Sequence, residues 1–99
     1  MTLNDFRATL NDPQPPAGLP IPLQALWHEA KGNWETAHTL VQNDNSPESA
    51  WVHAYLHRKE GDRTNASFWY WRAGKPMFEG DFDKEWTQIA TALLTHTPS

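Results

Sequence analysis

Two histidines and one glutamate in residues 50–62, AWVHAYLHRKEGD, have the spacing of a single helix face: His53, His57 and Glu60. Residues at positions i, i+4 and i+7 of a helix lie above one another, so their side chains are neighbours. Two imidazoles at i and i+4 can reach one divalent metal ion, and Glu60 lies one further turn along. The spacing therefore suits a site for a metal ion or a small ligand.

The same residues permit two other interpretations. In one, both histidines lie half-exposed at the surface and Glu60 pairs with one of them. In the other, the group transfers protons, which is the chemistry that enzymes most often assign to histidine. If a ligand site exists, His28 and Tyr55 are candidates for its edge.

The charge of the chain argues against nucleic acids and membranes as partners. Its 99 residues carry a formal net charge of -4 and contain no basic run. The attraction to phosphates that dominates nucleic-acid affinity is therefore missing, and an anionic membrane is a poor partner. No segment approaches the ~20 apolar residues of a membrane span. We expect no nucleic-acid partner and no membrane partner.

Cysteine usage and motif content bear on location and activity. The sequence has no cysteine, so nothing favours an oxidising compartment, and we expect a cytoplasmic protein. It also lacks a serine-nucleophile elbow, a glycine-rich phosphate loop and a dinucleotide fingerprint. We therefore expect no enzymatic activity and name no catalytic residue. A divalent metal is the one cofactor that the residue pattern suggests.

The helix that carries the histidines has clear start and stop signals. Ser46 is a typical N-cap, Pro47 suits the first helical position, and Gly61 ends the pattern. Apolar and aromatic residues, among them Trp51 and Tyr55, cover most of the circumference of this helix. We expect it to be buried on most sides, as the middle helix of the fold.

The chain is predicted to form one all-α domain over residues 1–99, with about five helices and a tryptophan-rich core. Gly32 and Gly61 each end one helix just before a residue that can begin the next, which predicts two stacked helical hairpins in residues 23–74. The flanking parts are an N-terminal capping helix (1–12), a proline-rich connector (13–22), and a link with a C-terminal capping helix (75–99).

The two hairpins align with each other when Gly32 is placed on Gly61, 29 residues later. The tripeptide LWH of the first hairpin then lies on YLH of the second, so His28 is the equivalent of His57. A single hairpin cannot bury its apolar face alone, which is a physical reason for repeating it. Stacking of the two hairpins can therefore bring His28 towards the predicted site.

The second hairpin carries the patterns G-D-x-x-x-A, beginning at Gly61, and A-x-x-W-Y-x-R-A, beginning at Ala66. On these motifs, residues 23–74 resemble the tetratricopeptide-like α/α helical-repeat superfamily, in particular its short bacterial repeats. The segment AWVHAYLHRKEGD is also similar to a group of small uncharacterised proteins. The superfamily resemblance implies a small non-enzymatic scaffold for protein–protein interaction or self-association. The alternative function is a small-ligand or divalent-metal-binding domain that uses His53, His57 and Glu60.

Two aromatic residues do not belong to the core stripe of their predicted helix. Phe68 and Trp71 point roughly opposite to the apolar face that Trp69 and Tyr70 define. Either the C-terminal segment covers them with its own aromatic residues, or they are exposed. If they are exposed, they form an interface, for which a homodimer is the simplest arrangement.

Overall fold

A computed structural model describes residues 1–95 of the chain, and these residues form helices without any strand. The all-α prediction is confirmed, with one α-helix more than the five expected in this described part. The helices are α1 (Leu3–Ala8), α2 (Ile21–Ala30), α3 (Trp34–Gln42), α4 (Pro47–Lys59), α5 (Arg63–Ala73) and α6 (Phe82–Thr95). None of the helices in residues 1–95 combines the length and the apolar character needed to cross a bilayer.

The first helix is shorter than the sequence pattern predicts. α1 begins with a capping box, in which Thr2 and Asp5 bond each other's backbone N–H groups. After Ala8 the chain tightens into a 3₁₀ turn, Thr9–Asn11, and the Thr9 hydroxyl donates to the Phe6 carbonyl at 2.6 Å. Such a side-chain bond competes with the regular helix, and 3₁₀ turns are frequent at helix ends.

The proline-rich connector ends earlier than predicted, because α2 begins at Ile21 and not at Leu23. Pro22 therefore lies inside the first turn of α2. Proline is tolerated there, since the first N–H groups of a helix have no carbonyl partner within it. The predicted boundary at residue 23 is wrong by two residues for this reason.

The turns that join α2 to α3 and α4 to α5 have the same geometry. Gly32 and Gly61 adopt φ values of 86° and 87°, a left-handed conformation that residues with a Cβ atom rarely take. In both turns, the residue after the glycine donates its N–H to the carbonyl of the residue four before the glycine, at 2.9 Å. These bonds satisfy carbonyls that the helix end leaves free. Each glycine thus reverses the chain between two packed helices.

The residues that follow the two glycines differ in one respect. Asp62 caps α5, and its carboxylate accepts the backbone N–H of Asn65 at 3.2 Å. Asn33 occupies the corresponding position before α3, but its side chain makes no capping hydrogen bond. The N-cap predicted for the second hairpin therefore forms its hydrogen bond. Asn33 lies at the predicted N-cap position of α3 but does not form that bond.

The middle helix is enclosed, as its wide apolar arc predicts. α4 packs against α2, α3, α5 and α6, and Trp51 on it is only 7% exposed. Aromatic side chains dominate the buried interior. The largest fully buried ones are Trp27, Tyr55, Tyr70 and Phe6.

The C-terminal helix packs on one side of the fold only. α6 contacts α1, α2 and α4, where Trp86 stacks on Phe6 with 5.7 Å between ring centroids. The Trp86 indole N–H donates to the Leu26 carbonyl at 3.0 Å. Because these contacts hold α6 away from the outer face of α5, that face has no helix over it in residues 1–95.

The exposure of Phe68 and Trp71 follows from this arrangement. Their side chains are 47% and 76% exposed, so the interpretation in which the C-terminal segment covers them is wrong. The aromatic residues of that segment have other partners: the Arg58 guanidinium lies over Phe82 at 4.4 Å and over Phe78 at 5.3 Å.

Candidate metal centre

Three imidazoles come together between α3 and α4. His53 and His57 lie on α4, as predicted, and His38 reaches them from α3. One ring nitrogen from each of the three lies within 4.8 Å of the other two. We call His38, His53 and His57 the histidine cluster.

The closest pair in the cluster already has nearly the separation of two metal ligands. The Nε2 atoms of His38 and His53 are 3.1 Å apart, so one ring donates its N–H to the other when no metal is bound. Two nitrogens bound at ~2.1 Å to one tetrahedral zinc lie roughly 3.3 Å from each other. The two Nε2 atoms are therefore already close to the separation that a shared metal ion requires.

The third ring is oriented by Glu60. The Nδ1 atom of His57 lies 2.6 Å from a carboxylate oxygen of Glu60, three residues along the same helix. Since the carboxylate accepts, Nδ1 carries the hydrogen, and in the neutral form of the ring the lone pair is on Nε2. Metal-binding histidines commonly have a carboxylate behind them in this way, which fixes the ring and raises its basicity.

The cluster is more buried than a surface site. His53 is 3% exposed, His57 is 8% exposed, and His38 is half-buried. The interpretation that places His53 and His57 half-exposed on the surface is therefore wrong. It fails because the first hairpin lies over this arc of α4, which a helical projection of α4 alone cannot show. The same interpretation also predicts that Glu60 pairs with one histidine, and this pairing, with His57, does occur.

Two tryptophans hold the rings in place. Trp34 stacks on His38 with 4.9 Å between centroids and 9° between planes, and Trp69 stacks on His53 at 3.9 Å and 16°. The spacing of Trp34 and His38, at i and i+4, produces the first contact. The Trp34 indole N–H donates to the Leu56 carbonyl at 2.9 Å, which ties α3 to α4 beside the cluster.

The electrostatic environment keeps two of the imidazoles neutral. Burial, together with the nearby rings of His38 and His57, lowers the pKa of His53 to about 3. The pKa of His38 is also lowered, mainly by burial and then by His57. Metal ions bind the neutral imidazole, so both rings can be ligands at neutral pH once the ring that donates its Nε2–H has moved that hydrogen to Nδ1.

One polar atom of the cluster has no hydrogen-bond partner. The Nδ1 atom of His53 is fully buried and unpaired. An unpaired buried polar group costs about 1–3 kcal/mol, and an apolar side chain at this position avoids that loss. A histidine here is thus poorly explained by stability alone.

The structure separates the other two predicted site residues from the cluster. His28 belongs to no group of metal ligands in residues 1–95, although its Nδ1 atom is also buried and unpaired. Tyr55 donates its hydroxyl to Glu29 at 3.3 Å, on the side of α4 that carries Lys59. Of the residues predicted from the sequence, the structure therefore brings together His53, His57 and Glu60 alone.

His38 is a candidate ligand that was not predicted from the sequence. A signal for it exists, because His38 follows Trp34 by four residues and so borders the apolar stripe of α3. A histidine at that border faces the neighbouring helix. Its partners on α4 become visible only when the two hairpins are packed.

A second group of potential ligands, His57, Glu60 and Asp62, lies beside the cluster within the described residues. Its carboxylates already have partners, since Glu60 holds His57 and Asp62 caps α5. Hydrogen bonds from the backbone and side chain of Asn65 lower the pKa of Asp62. This group is better described as support for the cluster than as a separate site.

The donor set suits borderline transition metals. Imidazole nitrogen is a preferred ligand of zinc, copper and nickel, whereas magnesium and calcium prefer oxygen. No protein-family model, no curated protein and no solved structure matches this chain. The assignment of the histidine cluster therefore rests on its geometry, its burial and its electrostatics.

Proposed function

We propose that this protein binds one divalent transition-metal ion through His38, His53 and His57. The observation that carries this proposal is the convergence of three imidazole nitrogens within 4.8 Å of one another. The tautomer set by Glu60 and the lowered pKa values of His38 and His53 support it, because both leave lone pairs free for a metal.

A metal at this position joins the two hairpins. His38 belongs to the first hairpin, α2–α3, while His53 and His57 belong to the second, α4–α5. An ion that binds the folded protein and not the unfolded chain stabilises the fold by mass action. The bound metal is thus a crosslink between two elements that otherwise meet through side-chain packing.

The direct test is metal titration of protein that has first been treated with a chelator. We expect calorimetry to show one zinc ion per chain, and cobalt to give the visible bands of a tetrahedral complex. His38→Asn should lower the zinc affinity by about 100-fold or more, since it removes a ligand outright. His28→Asn is the matched control, because His28 lies outside the cluster.

Two outcomes contradict the proposal. One is a zinc affinity of the His38→Asn variant equal to that of the unchanged protein, with both folded by circular dichroism. The other is equal binding of zinc and magnesium, because imidazole ligands discriminate strongly between these ions. His38 is half-buried, so its substitution tests binding with less risk to folding than substitution of His53.

We propose a second function, self-association through α5 as a tetratricopeptide-like scaffold, on a separate observation. Phe68 and Trp71 are exposed next to each other on α5, with ring centroids 6.3 Å apart. Aromatic residues are enriched in protein interfaces. The shared geometry of the Gly32 and Gly61 turns supports the helical-repeat part of this proposal.

Sedimentation and light scattering over a concentration series test self-association. We expect a monomer–dimer equilibrium that Trp71→Ser shifts to monomer. Arg63→Ser is the matched control, since Arg63 is also exposed on α5 and pairs with the exposed Glu79, at 3.7 Å. A protein that stays monomeric at every concentration contradicts this second function and leaves the metal proposal untouched.

A further inference from the structure

The histidine cluster supplies three donors, while a tetrahedral metal ion takes four. In residues 1–95, no fourth histidine, cysteine, aspartate or glutamate joins the group. Structural zinc sites are closed by four protein ligands, whereas sites that act on a ligand keep one position open. The number of donors therefore places this cluster with the open sites.

The nearest carboxylates are committed elsewhere. Glu60 bonds Nδ1 of His57, the ring nitrogen that faces away from a metal held by Nε2. Asp62 accepts from the backbone and the side chain of Asn65, at 3.2 and 2.6 Å. Moving either carboxylate onto the metal breaks bonds that orient His57 or cap α5.

The two tryptophans beside the cluster offer no metal ligand either. Trp34 and Trp69 stack on His38 and His53, and an indole ring has an N–H group but no lone pair for a metal. His38 is half-buried, so solvent reaches the cluster on the α3 side.

The charge of the metal site determines which kind of molecule would bind at the fourth position. Imidazoles bind metals in the neutral form, so three of them leave the +2 charge of the ion without an ionised ligand. Glu60, behind His57, is the one carboxylate that accepts a bond from the cluster. In a largely buried environment, an anion bound to the ion is strongly favoured.

We propose that the metal keeps a fourth position for an exogenous ligand, and that this ligand is a small anion with one donor atom, in exchange with water or hydroxide. This inference rests on the proposed metal site and adds the class of small molecule that the bound metal would take. The protein is then a binder of small anions through its metal, and not a chain with a purely structural ion.

Cobalt-loaded protein tests this inference, with thiocyanate as the probe and perchlorate, which coordinates poorly, as the control for ionic strength. We expect the visible cobalt bands to shift with thiocyanate, to saturate at one anion per cobalt, and to stay unchanged with perchlorate. Azide should displace the thiocyanate and give a third spectrum.

The outcomes separate the two proposals. If cobalt binds and thiocyanate and azide leave its bands unchanged, the coordination shell is closed, and the inference falls while the metal proposal stands. If thiocyanate abolishes the bands of bound cobalt instead of shifting them, the anion strips the metal, which also overturns the inference. If cobalt gives no bands with the protein at all, both proposals fail.

Discussion

Two buried polar groups lie on different sides of α4, and they differ in how completely their atoms are paired. One is the histidine cluster. The other, which we call the carboxylate cluster, lies where α2, α5 and α6 meet α4 and consists of Glu29, Tyr55, Arg58, Lys59, Tyr70 and Glu85.

Every charged group of the carboxylate cluster has a partner of opposite charge. Glu85 is 1% exposed and accepts from Arg58 at 2.8 Å and from the Tyr70 hydroxyl. Glu29 is 5% exposed and accepts from Lys59 and Tyr55. The carboxylate cluster therefore requires no bound ligand to balance its charges, and its role is to stabilise the fold.

The polar atoms of the histidine cluster, in contrast, are not all paired. Two of its rings share one proton between their Nε2 atoms, and the Nδ1 atom of His53 has no partner. A cation bound by the three rings takes the place of the shared hydrogen between the Nε2 atoms of His38 and His53. The difference teaches that burial and polarity alone do not mark a site; what marks this one is the convergence of three imidazole nitrogens.

The largest expected loss of stability comes from removing one carboxylate of the carboxylate cluster. Glu85→Ala removes the carboxylate that accepts from Arg58 Nε–H and from the Tyr70 hydroxyl, and breaking a buried pair in this way costs about 3–5 kcal/mol. Urea denaturation measures the change in the free energy of unfolding. The comparison variant is Glu29→Ala, whose loss should be smaller because Lys59 is 41% exposed and can return to water. A loss below about 1 kcal/mol for Glu85→Ala contradicts the description of a closed cluster.

Zinc should act on the histidine cluster alone. At a free zinc concentration 100 times its dissociation constant, binding adds about 2.7 kcal/mol to the free energy of unfolding. For a chain of this size, the melting temperature then rises on the order of 10 °C. Calorimetric or optical melting should show this rise in the Glu29→Ala variant as well, and should lose it in the His38→Asn variant. A rise that persists in His38→Asn places the zinc elsewhere.

Acid should weaken the metal-free protein through His53. Its pKa is about 3 in the folded protein and 6.5 in the unfolded chain, so the unfolded chain binds more protons at intermediate pH. The free energy of unfolding therefore has its full value above pH 6.5 and falls as pH decreases towards 3, by about 2 kcal/mol between pH 6.5 and 5. Urea denaturation in the presence of a chelator measures this slope.

A control variant shows whether His53 causes this dependence of stability on pH. His53→Gln removes the titrating ring, so stability should depend less on pH between 6.5 and 5. The carboxylates with lowered pKa values, Asp44 and Asp62, start from 3.8 and lose their contribution only below this window. If the stability of the unchanged metal-free protein stays constant from pH 6.5 to 5, His53 is not held neutral by burial.

The sequence predicts the helices well because their signals are local. Caps, prolines and glycines act on the residues beside them, so the Gly32 and Gly61 turns and the enclosed α4 follow from the chain. The local errors are small, such as the start of α2 two residues early, and the larger errors lie where two elements meet. A projection of α4 alone shows His53 and His57 on the same face and cannot show that α3 covers this face with His38.

The position of α6 illustrates the same limit. Its apolar stripe is evident in the sequence, but the stripe does not state which helix it covers. The structure places Trp86 on Phe6 and leaves Trp71 exposed. Fold class thus follows from periodicity, whereas the composition of a site between hairpins depends on how they pack.

The smallest expected effect concerns Glu60, which supports the histidine cluster from behind His57. Glu60→Gln keeps an oxygen that can accept the Nδ1–H of His57 but removes the charge, and Glu60→Ala removes both. Loss of an outer carboxylate typically lowers metal affinity 10–100-fold, so we expect about tenfold for the first variant and more for the second. Stability without metal should change by less than about 1 kcal/mol, because the side chain of Glu60 is 38% exposed.

Competition with a metal indicator measures this series, and Glu48→Gln is its control, since Glu48 is an exposed carboxylate on the same helix as His53 and His57. The order of affinity should be Glu48→Gln equal to the unchanged protein, then Glu60→Gln, then Glu60→Ala. If Glu60→Ala binds zinc as tightly as Glu48→Gln, the carboxylate does not orient His57 for the metal. The 2.6 Å contact is then an ordinary surface pair, and the histidine cluster must hold His57 by stacking alone.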